Sequence, residues 1–67
     1  MIKVFEQNYL DIPLSSMMDN DIIISLDPQK RLGEKTWSVV VYTGNYPYAK
    51  GLFWDKAYAE QFALTLE

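Results

Sequence analysis

Asp19 and Asp21, in the run DND, stand two apart, the spacing that opens a calcium-binding loop. The third ligand, the glycine and the distal glutamate of such a loop do not follow, so a turn ahead of a strand is the expected role. Carboxylate pairs can also cleave glycosidic bonds, and the chain holds nine acids. A domain of 67 residues, however, leaves little room for a closed pocket of roughly 300 Å³ or more. Histidine and cysteine are both absent, which removes the usual general base near neutral pH, the usual metal ligands and the thiolate nucleophile. No serine therefore has a histidine partner. Gly33, Gly44 and Gly51 are scattered, and no phosphate-cradling loop forms from them. The chain is expected to be no enzyme and to carry neither cofactor nor metal.

Binding chemistry is better represented. The stretch YTGNYPYAKGLFWD, residues 42 to 55, holds three tyrosines, a phenylalanine and a tryptophan. Aromatic side chains are enriched in interface cores because they bury much area at small rotamer cost. The same groups also build hydrophobic cores, so the elements that carry them must decide their use.

IKVFE (2–6) alternates as a strand, DIIISL (21–26) is a short β-branched run, and TWSVVVYT (36–43) is the strongest strand signal in the chain. DPQKRLGEK (27–35) reads as a turn opened by Asp-Pro and eased by Gly33. GNYPY (44–48) reads as a loop and AKGLFW (49–54) as a further strand, so the last three strands form an antiparallel meander. Asp55 is placed to cap a terminal helix, in which Tyr58, Ala59, Phe62, Ala63 and Leu66 share one stripe. Such a short helix is marginal alone and must dock on the sheet. NYLDIPLSSMMDN (8–20) reads as a loop with one or two helical turns, Leu14, Met17 and Met18 sharing a helical face. The expected architecture is a single α+β domain over 1–67, an antiparallel sheet of three or four strands packed against a C-terminal helix.

By simple alternation, Trp37, Val39 and Val41 share a face with Phe53, while Tyr42, Leu52 and Trp54 point the other way. Both faces are apolar, and one helix covers only one. The second face awaits the 8–20 segment, a second copy of the chain or a foreign partner. Tyr42, Tyr46, Tyr48, Leu52 and Trp54 are the candidate partner-binding residues.

Charge is uneven. Glu6, Asp11, Asp19, Asp21 and Asp27 fall between Val4 and Gln29, where no Lys or Arg occurs, and are expected to form an acidic surface. Lys30, Arg31 and Lys35 cluster around one turn, a small basic tip. The net charge of −3 disfavours adhesion to nucleic acid or anionic membrane. No apolar run approaches the roughly 20 residues that span a bilayer, and MIKVFEQNY lacks a leader's apolar region, so a cytoplasmic location is expected.

Residues 36–67 resemble the arm-type DNA-binding domain of phage integrases. The family's rhythm is a tryptophan-led strand, a turn, a strand ending in an aromatic, then a helix with alanine, glutamate and an aromatic. Trp37, Phe53, Ala59, Glu60 and Phe62 fall on those positions. The resemblance implies a three-stranded sheet with a C-terminal helix, and a sheet that enters the major groove while basic residues meet phosphates. Sheet-face arginines are lacking here, and direct DNA binding is not expected. At the level of class, the chain is also similar to small acidic phage proteins that disable host nucleic-acid machinery, such as anti-CRISPR and anti-restriction proteins. The expected function is non-catalytic protein binding, in concrete form a phage-type inhibitor or accessory factor acting on a nucleic-acid-processing partner. A nucleic-acid-binding module using the strands and turns of 27–54 is one alternative, and a homodimeric structural protein is another.

Overall fold

The computed structural model describes every residue from Met1 to Glu67. Four strands, β1 (Ile2–Asn8), β2 (Asp21–Leu26), β3 (Trp37–Thr43) and β4 (Tyr46–Phe53), form one sheet in the order of the chain, followed by helix α1 (Lys56–Thr65). The fold is α+β, as the sequence pattern requires, with one correction to the sheet. β2, β3 and β4 run antiparallel, but β1 lies parallel to β2. A parallel neighbour needs a crossover of about a dozen residues or more, and residues 9–20 supply it. They do so with two 3-10 turns, Tyr9–Asp11 and Leu14–Ser16, in place of an α-helix. Pro13, which precedes the second turn, is extended at φ −60° and ψ 136°.

The crossover sits on one face of the sheet and α1 on the other. Ile12 and Met17 close over Ile23, Val40 and Tyr42, with Phe5 and Tyr9 at the margin. The open second face is therefore covered by the chain itself. Leu14 and Met18 point to solvent, so the expected face shared with Met17 does not form. Beneath α1 lie Ile22, Ile24, Trp37 and Val39, flanked by Phe53 and Phe62. β2 is covered on both sides, which is why DIIISL is apolar without a break over its three isoleucines.

The Asp55 carboxylate accepts from the Ala57 amide at 2.9 Å and caps α1. Ala59 and Ala63, both fully buried, set the closest approach of helix and sheet. Phe62 packs beside them on Phe53, ring centroids 5.3 Å apart, while Tyr58 and Leu66 fall outside the buried stripe. A Cβ at Gly51 would stand 3.0 Å from the Phe53 ring and 3.4 Å from the Phe62 ring, so this glycine makes room for the pair.

The β3–β4 turn is tighter than GNYPY suggests. Thr43 pairs with Tyr46, leaving only Gly44 and Asn45 between the strands, at φ 57° and 64°. Positive φ at both positions is the requirement of the type I′ hairpin, and glycine and asparagine tolerate it best. Farther along β4 the pairing steps from Val39–Gly51 to Val40–Ala49, leaving Lys50 as a bulge.

The close helix contact is testable. Ala63→Leu inserts three carbons where the alanine is fully buried, and a thermal or denaturant melt should show a loss of about 1–3 kcal/mol. A melt equal to wild type would contradict this docking.

Candidate functional site

The bulge at Lys50 decides which way the tyrosines of β4 face. Directly opposed residues share a sheet face. Tyr48 opposes Val41 and Tyr46 opposes Thr43, which places both on the helix face, beyond the part that α1 covers. Their rings lie 4.8 Å apart at 51°, a tilted pair, and they are 50% and 58% exposed. Both belong to β4, not to a loop.

Trp54 follows the last residue of β4 and turns away from the sheet to meet Tyr58 edge-on, centroids 6.2 Å apart. It is 71% exposed. The expectation that it shares a face with Tyr42 is corrected, because the chain leaves the strand at Phe53. Tyr42 is also corrected as a partner-binding residue: at 5% exposure it is core, held under Ile12 and Met17. Leu52 is half-buried opposite Ser38, on the crossover side, and does not join the exposed aromatics. The four exposed aromatic side chains of the chain are thus Tyr46, Tyr48, Trp54 and Tyr58, two at each end of β4. Tyr58 occupies a position of the apolar helix stripe in the sequence, which masks its exposure. Lys50 and Lys56 flank these pairs and have no carboxylate at ion-pair distance. Lys56 also lies 5.7 Å from the centroid of the Trp37 ring.

The acidic set does not form one surface. Asp21 is buried, and its carboxylate accepts from Lys3 Nζ and from the Met18 amide, both at 2.8 Å. Lys3 also donates to the Ser16 carbonyl at 3.0 Å. Asp27 is buried in the β2–β3 turn, where Arg31 Nε and Nη2 donate to its two oxygens at 3.0 and 3.2 Å. These two residues are corrected from acidic surface to internal anchors. Their partners, Lys3 first for Asp21 and Arg31 first for Asp27, hold both carboxyls below the usual range against the opposing effect of burial. Asp19 accepts the Gly44 amide at 2.7 Å and ties the crossover to the β3–β4 turn. Asp11 lines a polar depression together with Lys30 and Lys35, so acids and bases meet there. Glu6 and Asp11 are the exposed acids of the five whose carboxylates have no partner.

Two of the three bases of the basic tip are paired within the chain. Arg31 serves Asp27, and Lys30 pairs with Glu34 at 2.9 Å. Lys35 is exposed on the same turn. Thr36 closes that turn, accepting the Leu32 amide at 2.9 Å and donating to the Gly33 carbonyl at 2.7 Å.

Between the crossover, the β2–β3 turn and β4 lies a cleft of about 290 Å³. The Tyr9 side chain lines it, although the hydroxyl itself is buried without a hydrogen-bond partner. Burial, and then the neighbouring Tyr42, push its ionisation above the ordinary phenol range. No three Asp or Glu side chains group as metal ligands, and no helix is long and apolar enough to cross a membrane. In comparisons with protein-family models, with curated proteins and with solved structures, nothing matched the chain.

The two anchors predict an acid response. A carboxyl whose folded-state pKa is lowered contributes stability above its unfolded value, near 4, and that stability is lost as pH falls through the folded value. Asp21→Asn should therefore melt well below wild type at pH 7, with the gap closing as acid takes the pH below the unfolded value and then through the lowered folded one, where the wild-type carboxyl takes up its proton. A pH-independent gap would show that the ion pair is not its source.

Proposed function

We propose that the protein is a non-catalytic protein-binding domain whose contact surface runs along β4 and into the first turn of α1. One observation carries the reading: all four exposed aromatic side chains lie there, while the other six are buried or half-buried. Tyrosine and tryptophan dominate interface energetics when a partner desolvates them, and clustering favours that use. The fold gains little from their present position, since Trp54 and Tyr46 leave most of their area in water. The concrete form of the proposal is a small phage-type inhibitor or accessory factor acting on a nucleic-acid-processing partner, an assignment that rests on the class resemblance alone.

A second reading takes the same surface as a single-strand platform. Bases stack on aromatic rings while nearby cations meet phosphates, and Lys50 and Lys56 flank the two aromatic pairs. Two unpaired lysines are a small electrostatic footprint beside a net charge of −3, and protein binding is the stronger proposal.

Two measurements separate these readings. Tyr46→Ala and Trp54→Ala should keep the melting temperature within a few degrees of wild type, because both side chains are exposed, yet weaken capture of a partner from the native host. Unfolding of either variant would make the aromatics structural. In fluorescence anisotropy near physiological salt, labelled single- or double-stranded DNA should show no saturable binding at micromolar protein. A salt-sensitive isotherm would put the nucleic-acid reading first.

A further inference from the structure

We infer that β4 receives an extended segment of a partner protein, which adds to the sheet as a fifth strand. The inference rests on the protein-binding reading and names its mode. β4 is the last strand of the sheet, and no strand lies beyond it. An added strand makes backbone hydrogen bonds along such an edge and gains its specificity from pockets that take alternate side chains. β4 has recesses on both sides. On the crossover face, Leu10, Pro28, Val40, Pro47 and Ala49 line the cleft of about 290 Å³, with Ser38 and Arg31 among them. On the helix face, Val41, Thr43, Tyr48 and Lys50 line a depression of about 330 Å³. Successive side chains of an extended strand point to opposite faces, so neighbouring residues of one segment reach both recesses.

The lining defines the occupant. Apolar atoms make up most of the cleft lining, and the Arg31 charge there is already answered by Asp27. It fits an aliphatic or aromatic side chain. The opposite depression holds Lys50, which has no carboxylate partner, and fits Asp or Glu. The segment therefore alternates apolar and acidic residues. A second copy pairing through its own β4 would bring another Lys50 to the same rim, the wrong charge. Pro47, with no N–H to donate, further restricts which strand can lie there.

The test is selection of random heptapeptides displayed on phage against the full chain, followed by anisotropy with the free enriched peptides. Enriched peptides should alternate apolar and acidic residues. Ala49→Trp, which fills the cleft from an exposed position, and Lys50→Glu, which reverses the charge, should each weaken binding about tenfold or more. Lys50→Glu should shift selection toward Lys or Arg, and N-methylation of alternate peptide amides should abolish binding. If either variant fails to fold, amide shift mapping on the wild-type chain decides, with the largest changes expected along residues 48–53. Absence of enrichment, or binding indifferent to both variants and to N-methylation, overturns the proposal. Peptides lost only with Trp54→Ala also overturn it while leaving the protein-binding reading standing, now centred on α1. A dimer in sedimentation that Ala49→Trp dissociates overturns it in favour of self-pairing.

Discussion

The Asp21 carboxylate accepts hydrogen bonds from the Lys3 ammonium and the Met18 amide, and so joins β1, the end of the crossover and the start of β2 at one point. The crossover has no long helix to stiffen it; its own order comes from two single 3-10 turns. Its attachment is therefore made at the ends. Lys3 also holds the Ser16 carbonyl, and Asp19 holds the Gly44 amide of the β3–β4 turn. With those ties in place, Ile12 and Met17 are set down on Ile23, Val40 and Tyr42. A chain of this length buries only about 60% of the surface its unfolded form exposes, so a second covered face is a large share of what stabilises it.

That arrangement shapes what remains for function. The middle strands are enclosed by the crossover on one side and α1 on the other, and the broad face of the sheet is not on offer. The exposed aromatic side chains are confined to the rim, where β4 passes into α1. The buried carboxylates follow the same division. Asp21 and Asp27 organise turns and strand ends from within, each with a cation and backbone amides to offset the cost of burial. The solvated charges that could steer a partner are a smaller set than the composition implies.

The elements were legible where local physics is strong. The β-branched runs of β2 and β3, the Asp55 cap and the period of α1 all point to the structures they form. The parallel placement of β1 was not legible, because alternation in IKVFE reports burial and not direction. The crossover sequence reads as a loop with helical turns, and nothing in it indicates that Met17 turns inward while Leu14 and Met18 turn out. Tyr46 and Tyr48 were legible as exposed candidates, but Tyr42 was not separable from them without knowing what covers the second face. Asp21 and Asp27 looked like surface acids because their cations sit eighteen residues upstream in one case and four downstream in the other, distances that composition cannot distinguish from solvation.

Lys50 is an uncounted residue in β4. On either side of it the strand keeps phase with β3, Tyr46 and Tyr48 on the helix face before the bulge and Gly51 and Phe53 on the same face after it. Removing Lys50 would leave every other side chain of β4 on its present face and close the ladder into an unbroken one. The outer rim would be straighter and would lose this charge, the profile of a strand that stacks on its own kind. Lys50 thus sets one unpaired residue and one positive charge on an edge that a regular ladder would leave straight.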